Sequence, residues 1–348
     1  MTLRSTLSSN VVKTAVAMAL SVGLLWLFFR GTDLASIRDS LARAELSLIG
    51  ASVLMMLLTY FLRALRWKIL LSPLGRASLM NCFVTTVVGF AVNFLVPSGR
   101  VGEIVRPYLL ARKEGFSTSS AFATIFVERI LDLVAVAVLL GGWIALVSRP
   151  NLSAGALGGL KIGGWIGLGG AAGAVAVLYV FARYPERALV WASRALAWLP
   201  DRARAAGLRF AETFAKGFGV LKDGRAFARA VAMSFAVWAS IAFAFWLGAS
   251  ALGVTFPYVD TFPVIGFLTL GVLVPTPGAV GGYHYMCALA LTSLFGTDDA
   301  TAKAVALTNH GVSFLPVTFL GIFLLPKAGT SFGEVKSMDS SKPGDSEP

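Results

Sequence analysis

Eight apolar stretches, each near or above the roughly 20 residues a helix needs to cross a bilayer core, fill most of the chain. They are Val11–Phe29, Leu46–Leu62, Leu79–Val96, Ala121–Val147, Leu157–Phe181, Val231–Leu252, Thr261–Phe295 and Ala304–Leu325. Of 348 residues, 56% are hydrophobic and 14% charged, against about 25% charged in a soluble domain. The pattern predicts an all-α polytopic membrane protein with about eight membrane segments, and no polar block large enough for a soluble catalytic domain remains. Val11–Phe29 follows Arg4 and Lys13 without a small-x-small cleavage site, so a retained first helix is expected rather than a signal peptide. Cys82 and Cys287 both fall within apolar stretches and read as small core residues, not as a disulfide or metal framework.

The net charge of +12 does not point to nucleic acid, because the basic residues concentrate in particular loops, as membrane orientation requires. Between Arg183 and Arg229 lie ten basic and four acidic residues, which predicts a cytoplasmic loop. If all eight stretches crossed fully from a cytoplasmic N-terminus, this loop would face outward. Leu79–Val96 and Thr261–Phe295 each run into Pro and Gly, so neither continues as one regular helix. Treating both as re-entrant or broken places the N-terminus, the 183–229 loop and the C-terminal tail on the cytoplasmic side.

The two interrupted stretches resemble each other. Gly89-Phe90 leads to Leu95-Val96-Pro97-Ser98-Gly99-Arg100-Val101-Gly102, and Gly266-Phe267 leads to Leu273-Val274-Pro275-Thr276-Pro277-Gly278-Ala279-Val280-Gly281. The same offset pairs Glu128-Arg129 with Asn309-His310. Under the topology above, one segment enters from the cytoplasm and the other from outside. Inverted repeats with broken helices at matching positions are the usual architecture of secondary transporters, with the substrate between the repeats.

Several residues are candidates for binding a substrate. Ser98, Gly99, Arg100, Gly102, Glu103 and Arg106 surround a glycine-rich turn leading into Ile104–Lys113, where backbone amides and two arginines suit a phosphate. The plainer reading is a helix break at the interface with both arginines snorkelling. Glu128, Arg129 and Asp132 interrupt an apolar run at spacings that share one helix face, and ionisable groups inside a membrane helix are functional candidates by default. Arg129 reads as a countercharge poised by two carboxylates, or the trio reads as a structural ion cluster. His284 and His310 titrate in a range that suits proton coupling, although a lone histidine on a helix is more often a packing residue. Glu186–Arg229 mixes aromatics with spaced Arg and Lys, as amphipathic helices on an anionic leaflet do. A plain positive-inside loop reads equally well. Residues 331–348 have the composition of a disordered tail.

The run from Asn93 to Glu103, the later Val127-Glu128-Arg129, and Pro275–Gly282 together resemble the lysylphosphatidylglycerol synthase transmembrane-region family, also called flippase-like. The resemblance implies a bacterial or archaeal inner (plasma) membrane protein. It implies one transmembrane domain over residues 1–330, with repeat one at about 46–147, the basic loop at 183–229 and repeat two at about 231–325. In the namesake enzymes this region flips aminoacylated phosphatidylglycerol outward, and stand-alone relatives are linked to polyprenyl-linked sugars and hopanoids. This chain reads as a stand-alone member without the aminoacyl-transferase domain. The family's motifs map onto Pro97, Gly99, Arg100, Gly102, Glu103, Glu128 and Arg129, and onto Pro277, Gly278 and Gly281. His284 stands where many relatives carry an acidic residue, and His310 where they carry a basic one.

These readings lead to a lipid flippase for an anionic, phosphate-containing headgroup, either phospholipid or polyprenyl-phosphate lipid. A membrane-embedded transferase using Glu103, Glu128 or Asp132 as base is the second class, and an accessory subunit of an envelope lipid or glycan synthesis complex the third. No Walker-type loop is present, and no cofactor, metal or nucleic acid is expected. A homo-oligomer or an envelope-synthesis partner stays open.

Overall fold

The computed structural model describes residues 3–95, 101–146, 154–331 and 333–334. Among these no strand occurs, and the chain forms thirteen α-helices. They are α1 (Leu3–Phe29), α2 (Leu34–Ala42), α3 (Leu46–Leu71), α4 (Leu79–Leu95), α5 (Gly102–Glu114), α6 (Thr118–Leu146), α7 (Ala154–Arg183), α8 (Pro185–Ala195), α9 (Asp201–Lys216), α10 (Gly224–Ser250), α11 (Thr261–Leu273), α12 (Gly282–Phe295) and α13 (Asp299–Ala328). By length and composition, α3 with its following turn, α10 and α13 can each cross a membrane. The pair α1–α2, bent by 82° after Phe29, is a fourth candidate. Helix α6 is long enough but carries Glu128, Arg129 and Asp132 within its apolar length. At 1.5 Å per residue, α4 and α11 reach only about 26 and about 20 Å, short of a core of about 30 Å.

Antiparallel α3 and α10 form the centre. The Glu45 amide donates to the Ala251 carbonyl, Ser52 Oγ to the Ala244 carbonyl at 2.6 Å, Thr59 pairs with Ser240 at 2.8 Å, and Arg66 donates to Ser234 Oγ at 2.9 Å. One index rises as the other falls, and small or hydroxyl residues at each step let the helices approach closely. Helix α3 continues past Leu62 to Leu71, so Arg63 and Arg66 lie inside the protein rather than in a basic loop. Helix α10 starts at Gly224, ahead of the apolar run at Val231, because the Asp223 side chain accepts from the Arg225 and Ala226 amides.

Both interrupted stretches fold as helical hairpins. Glu114 at the end of α5 accepts hydrogen bonds from the Ser78 amide and Asn81 Nδ2 at the start of α4. The chain therefore leaves the first hairpin at the end where it came in. In the second, Phe295 at the end of α12 stacks on Phe256 just before α11, with centroids 4.5 Å apart. The first hairpin follows α3 and the second follows α10, so antiparallel packing of these two makes the hairpins enter from opposite ends of the molecule. Each hairpin packs on the other half: Gly321 of α13 lies against Ala91 and Val87 of α4, and Gly266 of α11 against Leu140 of α6.

Candidate functional site: an arginine-rich cluster beside an apolar cavity

Arg129 lies eleven residues into α6 and His310 eleven residues into α13. At 1.5 Å per residue each sits about 16 Å from the start of its own helix, and the two helices begin at opposite ends. An apolar-walled cavity of about 890 Å³ lies between the halves, lined by residues of α1, α3, α6, α10, α13 and both hairpins.

One wall of the cavity carries a cluster of four arginines and three carboxylates. Glu128, fully buried, offers Oε1 to Arg106 Nη1 at 2.9 Å, Arg129 Nη2 at 2.6 Å and Arg66 Nη2 at 3.2 Å. Asp132 accepts from Arg66 Nη1 at 2.5 Å and from Trp238 Nε1 at 3.0 Å, and lies 3.3 Å from Arg129. Glu103 completes the group, 4.0 Å from Arg129. Buried charge is tolerated only when paired and hydrogen-bonded. The helical spacing of Glu128 and Asp132 places both on the α6 face towards Arg66. Arg106 reaches Glu128 from α5 while lying over the Trp67 ring, 3.9 Å from its centroid.

The candidate residues thus divide by position. Glu103, Arg129 and Asp132 line the cavity. Arg106 and Glu128 lie behind that wall, and Glu128 holds both Arg106 and Arg129. Gly102 is a packing residue: its amide donates to Asn93 Oδ1 at 2.7 Å. Pro97, Ser98, Gly99 and Arg100 lie outside the described residues. In the second half, Pro275, Thr276 and Ala279 line the cavity, whereas Pro277, Gly278 and Gly281 form the packed turn beneath it. Gly281, at φ 91°, is held against Ser21 and Leu24 of α1, and Ser21 Oγ donates to the Val280 carbonyl.

His284 and His310, distant in sequence, have ring centroids 4.3 Å apart. His284 Nδ1 accepts from the Gly281 amide, and His310 Nε2 lies 2.9 Å from the Gly278 carbonyl. Phe314 stacks on His310, and Tyr283 packs edge-on. Where α6 carries Glu128 and Arg129, the matching turn of α13 joins an imidazole and aromatic stack. Among the described residues, no three His, Cys, Asp or Glu side chains group as metal ligands would.

Sequence reading missed Arg63, Arg66, Thr59, Tyr60 and Trp238. The available signal was helical spacing: Met56, Thr59, Tyr60, Arg63 and Arg66 recur at i, i+3, i+4, i+7 and i+10, the pattern of one helix face.

The comparisons agree with this architecture. The chain is similar over 332 residues to a UPF0104 membrane protein of Methanothermobacter thermautotrophicus, at 26% identity, covering 87% of this chain and 91% of that one. An 86-residue stretch is 38% identical to a UPF0104 membrane protein of Methanocaldococcus jannaschii, covering 24% of this chain and 25% of the relative. A further 140-residue similarity, at 26% identity, is to the glycosyltransferase AglD of Haloferax volcanii, spanning 40% of this chain and 21% of that protein. The lysylphosphatidylglycerol synthase TM region family matches residues 13–321, and the chain belongs to that family.

Proposed function

We propose that this protein moves a lipid with an anionic, phosphate-containing headgroup between the leaflets of a bacterial or archaeal inner membrane. The observation that carries this reading is the cavity itself: a space of about 890 Å³ whose mostly apolar walls meet an arginine-rich patch. An amphiphile needs both surfaces. The inverted entry of the two hairpins supplies two halves whose alternate exposure would move such a ligand across. Arg129 is the most exposed arginine of the patch, at 32% of its side chain. The basic 183–229 segment and both termini belong on the cytoplasmic side by the positive-inside rule, with α8 and α9 lying on its anionic leaflet.

The transferase reading takes its support from the partial similarity to a protein named as a glycosyltransferase. Against it, Glu128 and Asp132 are each engaged by more than one guanidinium, so neither carboxylate is free to face a substrate hydroxyl. The accessory-subunit reading has no observation of its own.

Reconstitution in liposomes tests the proposal. Transbilayer movement of fluorescent phosphatidylglycerol and of a polyprenyl-phosphate lipid is compared for wild type, Arg129→Ala and Glu128→Gln, with folding checked in each. The expected result is fast movement by wild type that is lost in folded Arg129→Ala. Movement no faster than in protein-free liposomes removes the flippase reading.

A further inference from the structure

Four guanidiniums (Arg63, Arg66, Arg106 and Arg129) face three carboxylates (Glu103, Glu128 and Asp132) in the cluster, leaving one positive charge in excess among the described residues. Geometry identifies the odd one. Arg66, Arg106 and Arg129 each make close contacts to carboxylate oxygens, at 2.5 to 2.9 Å. Arg63 reaches only Asp132, at 3.8 Å, and its buried Nη1 has no hydrogen-bond partner. Yet Arg63 is only 8% exposed, and it lines the cavity. The Phe90 ring, 5.0 Å away, holds the plane of its guanidinium.

Within the ion cluster Arg129 Nε and Asp132 Oδ2 are likewise without a hydrogen bond, and one further such atom faces the same space from the other half. Thr276 Oγ1, in the break of the second hairpin, is buried without a partner and lines the cavity. A buried cation that makes no hydrogen bond and meets its nearest counterion only at 3.8 Å is under-satisfied, and a guanidinium fork matches a phosphate oxyanion in shape as well as charge.

Resting on the flippase reading, we infer that Arg63 is the primary ligand of a phosphate oxyanion, with Thr276 closing on it from the opposite half. Arg129, engaged by three carboxylates, is then a positioning residue that, with Arg66, holds Asp132 closer to these two than to Arg63. This deepens the proposed function by fixing where the headgroup sits and by requiring both halves to hold it.

Binding rather than transport tests this. The full-length protein with its other seven tryptophans replaced by phenylalanine, in detergent, is titrated with short-chain phosphatidylglycerol, the matching diacylglycerol and inorganic phosphate, read by the fluorescence of Trp238 beside Asp132. Wild type is expected to prefer phosphatidylglycerol over diacylglycerol by about tenfold or more, the worth of one charge-assisted contact. Arg63→Gln should abolish that preference, Arg63→Lys restore part of it, and Thr276→Val, which leaves the ion cluster intact, weaken binding by about threefold to tenfold. Arg63-dependent binding of inorganic phosphate as tight as that of the lipid supports the oxyanion site and assigns it to a free anion. Unchanged preference in folded Arg63→Gln, or in Thr276→Val where Arg63→Gln does not fold, overturns the inference. Arg63-dependent binding without lipid movement in liposomes would instead remove the flippase reading and leave the oxyanion site standing.

Discussion

Gly102 packs so tightly on Gly89 that a β-carbon at Gly102 would lie 1.8 Å from the Gly89 carbonyl oxygen. The second hairpin repeats the arrangement with Gly282 and Gly271, where the same construction gives 2.4 Å. Each hairpin is therefore pinned by a glycine pair that brings two half-helices into backbone contact. The atom in the way is backbone and does not yield by a rotamer change.

Alanine at Gly102 or Gly282 should therefore destabilise the fold by about 3 kcal/mol or more, at or beyond the upper end of ordinary overpacking. Gly50 in α3 faces open space, with no neighbouring atom within 4 Å of where a β-carbon would stand. Gly50→Ala should instead be neutral or stabilising by up to about 1 kcal/mol through helix propensity. Thermal unfolding of the three variants in one detergent checks the contrast. Equal midpoints for Gly50→Ala and Gly102→Ala would contradict the hairpin contact.

Glu128→Gln removes a fully buried carboxylate that three guanidiniums share. Buried charges left without a counterion are strongly unfavourable, so a loss of about 3 to 5 kcal/mol is expected. If the cost is electrostatic, removing one of the stranded cations as well should recover part of it. The double variant Glu128→Gln with Arg106→Gln is then more stable than the sum of its single changes. Additive losses would show that the cluster is held by packing alone.

The two helical hairpins were legible because Pro and Gly break an apolar run visibly. The ion cluster was only half legible. Glu128, Arg129 and Asp132 stand out against an apolar helix, but Arg63 and Arg66 follow directly on the Leu46–Leu62 run and are followed by Lys68, so they resemble the basic end of a span. What keeps them inside is a pair of carboxylates more than sixty positions away, and no local pattern records that. The glycine crossings were hidden for the same reason: close approach is a property of two helices, not of either sequence. The contact between His284 and His310 likewise exists only once α12 and α13 are packed.

Asp298 caps α13, its side chain accepting from the Thr301 amide at 2.9 Å. Those backbone donors hold the exposed carboxyl below the usual aspartate range. A depressed folded-state value means the carboxylate stabilises the folded state above the unfolded value and loses that contribution as pH falls through the folded one. Asp298→Ala should lower stability by about 1 kcal/mol at pH 7, the typical worth of such a cap. The gap to wild type should narrow as pH drops below the ordinary aspartate range. A gap that stays constant on acidification would show that the charge on the cap contributes nothing.

Sidedness of the hairpin ends is the sharpest test of the architecture, because it separates a re-entrant hairpin from a span. Arg76 and Lys113 flank the first hairpin and Thr255 and Thr297 the second, while the native Cys82 and Cys287 are fully buried. Single cysteines at the four positions, with one at Lys222 beside the basic segment, are probed by a membrane-impermeant thiol reagent in right-side-out and inverted vesicles. Arg76→Cys and Lys113→Cys should react from the same side as Lys222→Cys, since α3 and α10 are antiparallel and both ends of the first hairpin meet at Glu114. Thr255→Cys and Thr297→Cys should both react from the other side. If Arg76→Cys and Lys113→Cys reacted from opposite sides, α4 and α5 would together cross the membrane. The cavity would then not lie between two inverted halves, and the case for alternate exposure of a lipid headgroup would fall with it.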